Sequence, residues 1–329
     1  MRARRPVATV GLVLVVLLAF RGAEAQEAGK VYRIGVLETT GAALNAANLN
    51  AFRTGLKELG YVEGRNLVIE YRSADGRSER FPALATQLVR SKVDLILTRG
   101  TPAVIAAKNA TPTIPIVMAA SGDPLSTGVV TGLARPGGNV TGLSALTAEL
   151  GGKRLHLLKE AVPVLRRVAA LLDMENPTLA IQWQAIEAAA LSMDVRPQLL
   201  DVRKAEHFGP AFDAAIKERA DAVIVSLSTL TQSNVGLVTD LAARRRLPSV
   251  YSSREFVDAG GLMAYGVSYP DLYRRAAKYV AKIFQGAKAA DLPIEQPTKF
   301  ELAINMKAAK ALGLTIPPSL LLQADHVVE

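Results

Sequence analysis

The sequence predicts an α/β protein of two similar lobes, each a parallel sheet with helices on both faces. Three observations predict it. Short β-branched-rich runs alternate with longer segments of helical period. The strand-like runs carry few polar residues, as strands covered on both faces do. The whole alternation then occurs a second time, which calls for a second sheet.

In the first series, residues 31–37 are a strand. Residues 46–59 follow as a helix with Phe52, Leu56 and Leu59 at helical spacing, ended by Gly60. Strands at 67–71, 93–97 and 114–119 then alternate with helices at 80–91 and 102–109. The stretch from Arg135 to Gly142, rich in Gly and Pro, breaks the pattern and places a boundary just beyond it. The second series opens with a helix at 149–161. Strands at 168–172, 196–202, 222–227 and 248–252 alternate with helices at 178–193, 208–219 and 232–246. A strand at 262–266, a helix at 269–285, a strand near 299–304 and a closing helix remain. They are too little for a third domain and are expected to cross back to the first lobe. The expected organisation is residues 30–145 plus about 268–329 as lobe 1, and 146–267 as lobe 2.

Residues 1–25 read as a secretory signal. Arg2, Arg4 and Arg5 precede a 14-residue apolar run, and Ala23-Glu24-Ala25 forms a small-x-small cleavage site. The run is shorter than the ~20 residues that span a bilayer. Cleavage after Ala25 removes four arginines and Glu24, lowers the net charge from +9 to +6 and leaves a soluble protein outside the cytoplasm. The chain of 329 residues has no cysteine, which excludes a disulfide framework, a zinc ribbon, an iron–sulfur cluster, a thiol nucleophile and a lipidated cysteine anchor. The basic excess does not mark a nucleic-acid groove. Arg244-Arg245-Arg246, the one run of three, sits near a helix end where cations suit the dipole, with no interleaved aromatic residues.

Ligands of open parallel sheets bind outside the carboxyl ends of the strands. Three such ends share one chemistry here: Arg99-Gly100-Thr101-Pro102, Ser121-Gly122-Asp123-Pro124 and Asn176-Pro177. Each sets an N-cap type residue (Thr101, Asp123, Asn176) before a proline suited to the first helical turn, leaving free N–H groups for an anion. Gly100 and Gly122 allow close backbone approach, Thr39, Thr40, Thr101 and Ser121 offer hydroxyls, and Arg99 offers a fork for a carboxylate. Asp123 is either an ammonium partner or a simple cap. Cap-plus-proline is also ordinary helix-start grammar, and it is the threefold recurrence that favours a cleft. Ser228 and Ser253, with Ser226, Tyr251 and Ser252, are candidates by position alone. Enzyme signatures are missing: His156, His207 and His326 are scattered, and there is no HExxH, GxSxG, Walker A or GxGxxG pattern. No metal or cofactor is expected.

Several motifs together carry a resemblance. They are Gly60-Tyr61-Val62-Glu63-Gly64-Arg65-Asn66, Gly100-Thr101-Pro102-Ala103, Gly122-Asp123-Pro124, Arg135-Pro136-Gly137-Gly138-Asn139-Val140-Thr141-Gly142, Gln296-Pro297-Thr298-Lys299-Phe300 and the closing Ala308 to Ser319 and Ala324 to Glu329. From about residue 30 to 329 the chain resembles the substrate-binding proteins of ABC transporters, tryptophan/tyrosine-type branch, with the type I periplasmic binding protein fold. The resemblance implies two lobes joined by three hinge strands, closing on a small ligand and docking on a membrane permease. It implies a periplasmic, monomeric, non-catalytic binder of a carboxylate-bearing or amino-acid-like solute with no nucleic-acid partner. It also implies that Thr39, Thr40, Gly100, Thr101, Ser121 and Gly122 meet the ligand's acid group and that Asn176 serves from the second lobe. Ser228 stands where the family often has an acidic residue for the amino group. A ligand-sensing component for a membrane receptor is the alternative function, and an extracytoplasmic enzyme the third.

Overall fold

Apolar side chains cover both faces of the first sheet, which is why its strands read as unbroken hydrophobic runs. The computed structural model describes residues 30–147 and 149–329, of which Tyr32–Glu329 form one compact unit. The expected signal, residues 1–25, lies outside the described residues. Strands β1 (Tyr32–Glu38), β2 (Leu67–Ser73), β3 (Leu95–Arg99), β4 (Ile116–Ser121) and β5 (Val140–Ser144) pair in parallel in the order β2-β1-β3-β4-β5. Ile34, Val36, Leu95, Leu97 and Val117 cluster with Leu49, Phe52 and Leu56 of α1 (Ala46–Glu58) on one face. Their neighbours Leu37, Ile96, Ile116 and Met118 cluster on the other with α2 (Phe81–Arg90) and α3 (Thr101–Ala110).

The second sheet repeats this plan. After α4 (Leu150–Ala161) come β6 (Arg167–Leu172), α5 (Pro177–Ser192), β7 (Arg196–Asp201), α6 (Phe208–Lys217) and β8 (Ala222–Val225). Then follow α7 (Thr229–Ser233), α8 (Val235–Arg244), β9 (Ser249–Tyr251), α9 (Glu255–Asp258) and β10 (Met263–Val267). Ala170, Leu172, Ile224 and Val250 bury against α4 and α5, and Ala169, Leu171, Val223 and Val225 against α6 and α8. Helix α10 (Tyr269–Phe284) leaves β10 but packs Leu272, Tyr273, Ala276 and Val280 into the first sheet's cluster beside Phe52 and Leu56.

The stretch after 268, expected to return whole to the first lobe, divides instead. Strand β11 (Phe300–Asn305) pairs antiparallel with β10, and after α11 (Met306–Leu312) and α12 (Pro318–Gln323) β12 (His326–Val328) pairs with β11. The order of the second sheet is therefore β12-β11-β10-β9-β8-β6-β7. The cause is an edge: β10 would otherwise present unpaired backbone groups, and Leu302, Ala303 and Ile304 bury there. Among the described residues the chain thus passes between the sheets three times, between β5 and α4, at Ser268 and at 296–299.

Other differences are local. The Gly/Pro-rich break contains a fifth strand, β5. The helix expected at 232–246 divides at Asn234 into α7 and α8. No helix follows Asp123-Pro124; the chain turns there, with Thr127 N–H donating to the Asp123 carbonyl at 3.1 Å. Thr101 is the first residue of α3 and not its cap, that place being taken by Gly100.

Gly142 sits inside β5 with φ +127°, and a Cβ there would lie 2.3 Å from the Met118 carbonyl oxygen of β4. Backbone strain and steric overlap act together at this position. Gly142→Ala should lower the unfolding free energy by about 2–5 kcal/mol, read by urea denaturation. A variant within roughly 1 kcal/mol of the parent, the scale of ordinary surface changes, contradicts that account.

Candidate functional site

All the strands that matter end at one place. The carboxyl ends of β1, β3 and β4 face those of β6 and β8, and together with Tyr269 they enclose a cavity of about 50 Å³. From the first lobe it is lined by Thr39, Arg99, Gly100, Thr101, Ser121 and Gly122. From the second come Asn176, Thr178, Leu179, Leu227, Ser228 and Gln232.

Local structure sets each polar group. Gly100 takes φ +84° and so turns the chain from β3 straight into α3. That conformation favours glycine, which has no Cβ to clash. Thr101 is thereby buried facing the cleft. Its Oγ1 lies 3.1 Å from Ser121 Oγ, accepts from the Gly122 N–H at 3.3 Å, and meets Thr178 Oγ1 of the other lobe at 2.8 Å. Asn176 caps α5, its side chain accepting from Thr178 N–H at 3.1 Å. Ser228 and Thr231 form a reciprocal capping box that starts α7 and aims Gln232 across the cleft. Gln232 lies 2.5 Å from Thr39 Oγ1. With its amide nitrogen facing that hydroxyl, its carbonyl oxygen accepts from Arg99 Nη2 at 2.8 Å. Two pairs, Thr101–Thr178 and Thr39–Gln232, therefore join the lobes, and the arrangement is a closed one.

The cleft floor is electrostatically loaded. Arg99 is 2% exposed, with its guanidinium 4.1 Å from the centre of the Tyr269 ring. Nη1 reaches Asn45 Oδ1 at 3.4 Å, Nη2 lies 3.9 Å from Glu255 of the second lobe, and Nε has no partner. Burial opposes its charge, but Glu255, Tyr273, Tyr269 and Glu38 outweigh burial and hold Arg99 protonated. Glu38, fully buried at the end of β1, accepts from the Tyr273 hydroxyl and from Thr39 N–H. Burial pushes its pKa above the ordinary value, against the opposing influence of Arg99 and these hydrogen bonds.

The expected residues divide. Thr39, Arg99, Gly100, Thr101, Ser121, Gly122, Asn176 and Ser228 come together around the cavity. Thr40, Asp123 and Ser253 do not line it. Thr40 is buried, with its carbonyl accepting from the Tyr71 hydroxyl at 2.7 Å. Asp123 accepts from Ser126 N–H at 3.1 Å within the turn that follows it. Ser253 is buried ahead of α9, its carbonyl accepting from Phe256 N–H. Thr178, Gln232 and Tyr269 were not singled out from the sequence. Thr178 follows the Asn176-Pro177 cap by one residue, so its place in the first helical turn was the available signal. Gln232 and Tyr269 carried none, since the short capped helix α7 and a crossing between the sheets decide where they point.

A family model described as ABC transporter substrate binding protein matches residues 34–328, and the chain belongs to that family. It is 27% identical over 263 residues to a tyrosine-binding protein of Clostridioides difficile, covering 80% of this chain and 75% of that one. Among solved structures it matches an ABC domain in complex with L-Trp from Streptococcus pneumoniae at 26% identity and a TM-score of 0.83, over 90% of this chain and 99% of that one. It also matches a ligand-free, open substrate-binding protein with adhesive properties from Clostridium difficile, at 24% identity and a TM-score of 0.63, over 91% and 99% of the two chains.

Two expectations follow from this geometry. An acid whose pKa rises on folding stabilises the fold only while protonated. The unfolded chain loses its proton near 4.5, so this contribution declines as pH rises from there towards the folded value. Glu38→Gln should therefore flatten the fall in unfolding free energy above about pH 4.5, measured by urea melts across that range. An unchanged slope removes Glu38 as its source. At Gly122 a Cβ would lie 2.1 Å from Thr178 Cγ2 across the cleft. Gly122→Ala should hold the lobes apart and enlarge the radius of gyration in small-angle X-ray scattering, and an identical scattering curve contradicts that.

Proposed function

We propose that this member of the ABC transporter substrate-binding family closes its two lobes on a small carboxylate-bearing solute outside the cytoplasm and delivers it to a membrane permease. The observation that carries the reading is the convergence of donors from both lobes on one cavity. Thr101, Ser121 and the Gly122 N–H face Asn176 and Thr178 there, and the Thr101–Thr178 contact spans the cleft. A binding site divided between two sheets joined by three crossings couples occupancy to lobe position, because a ligand touching both lobes favours the closed state.

The named ligands of the relatives, tyrosine and L-Trp, share a carboxylate, and this cleft is equipped for that part of them. Hydroxyls, an N-cap region and a buried guanidinium are suited to an anion. The role proposed is binding, the activity named for the relatives that the chain matches. Residues 1–25 serve as the export signal that places the mature, monomeric chain in the periplasm, without a lipid anchor.

Thr101 is the residue to test. Thr101→Val removes the hydroxyl that Ser121, Gly122 and Thr178 share and leaves those groups, and a bound anion, one partner short. Affinity for the solute that co-purifies with the native protein, identified by mass spectrometry, should weaken by several-fold to about a hundredfold in calorimetric titration. Unchanged affinity takes Thr101 out of the site. A native preparation that carries no solute, and whose melting temperature no amino acid or small organic acid raises, contradicts solute binding altogether.

A further inference from the structure

We propose that the ligand of the interlobe cavity is a carboxylate without an ammonium group, such as a 2-hydroxy or 2-oxo acid. The proposal rests on the solute-binding reading above and narrows it. Charge is the first argument. Arg99 is the one charged residue among the described residues that line the cavity. The nearby acids are turned to other work: Glu38 bonds Tyr273 and Thr39 N–H, Asp123 bonds Ser126 N–H, and Asp173 accepts from Glu175 N–H at 3.2 Å. Glu255 reaches only the Arg99 guanidinium, at 3.9 Å, and does not line the cavity.

Arg99 also lies against a wall of the cavity, its guanidinium 4.1 Å from the centre of the Tyr269 ring. A second buried cation, Arg154 of α4, does not line the cavity; its Nε donates to the Tyr265 carbonyl at 2.7 Å. An ammonium placed in this cleft would face like charge at low dielectric, where such repulsion is poorly screened. A carboxylate would instead meet the Arg99 guanidinium, whose ion-pair partner Glu255 stands 3.9 Å away and is part exposed.

The lining gives the rest. The groups left to meet the remainder of the ligand are Thr39, Ser121, Thr178, Ser228 and the Asn176 amide, which suit a hydroxyl or oxo oxygen.

Matched pairs test this directly. Protein freed of bound solute is titrated calorimetrically with glycolate against glycine, L-lactate and pyruvate against L-alanine, and L-malate against L-aspartate. L-Trp, L-Tyr, sulfate and phosphate are added as further arms. The expected result is that at least one hydroxy or oxo acid binds tenfold or more tightly than its amino-acid partner and than L-Trp or L-Tyr. Tighter binding of an amino acid overturns the proposal while leaving the solute-binding reading intact, and so does binding of inorganic anions alone. If no probe binds, the co-purifying solute decides: an acid without an amine supports the proposal and an amine-bearing or neutral solute overturns it. No probe bound and no solute carried overturns both readings. Arg99→Met, checked for a cooperative melt, should lose at least tenfold in affinity for the preferred acid. The wild-type pairs remain decisive should that variant not fold.

Discussion

A guanidinium taken almost wholly out of water has to be met by partners, and in this protein those partners come from both lobes. Arg99 ends β3 in the first sheet, stacks on Tyr269 at the second crossing, and reaches Asn45 beside it. Gln232 and Glu255 complete its surroundings from the second lobe. Removing a cation from water costs several kcal/mol even after relaxation, so the shell around it cannot be casual. The lobes close where they do in part because the groups that solvate Arg99 are divided between them. The Glu255 side chain is 34% exposed and 3.9 Å away. A pair at that distance in partial solvent is weak, and it leaves room for a stronger anion in the cleft.

Closure also depends on small residues at the contact. Gly122 has no side chain where Thr178 arrives from the other lobe, and Gly76 likewise sits where a Cβ would lie 2.8 Å from Ser233. The threonine and serine hydroxyls that bridge the cleft are short and stiff, so the two sheets meet at one spacing. The three crossings then allow that spacing to change without unfolding either core. Each core is closed on its own faces, and α10 belongs to the first core although it follows a strand of the second.

A large part of this was legible in the residues. Strand after strand fell within two residues of its expected bounds, because runs such as Leu95–Arg99 and Arg167–Leu172 are apolar on both faces and nothing else in the sequence competes for them. Eight of the eleven residues singled out as site candidates line the cavity, since strand ends in parallel sheets point one way. Asp123 carries ordinary helix-start grammar, yet it precedes a turn, closed by Thr127 N–H on its carbonyl. Thr40 and Ser253 stand in the right loops but face inward to protein.

Periodicity, chain punctuation and the polar groups at strand ends determined the two-lobe α/β plan, the family and the neighbourhood of the site, because these are properties of neighbouring residues along one chain. Only the tertiary structure decided that β11 and β12 complete the second sheet and that Gln232 and Tyr269 reach the cleft. It alone buried Arg99 in the cavity wall, with Glu38 buried at the end of β1. Those outcomes depend on which distant residues share a dry volume, and the energy of a buried charge is set by its neighbours in space.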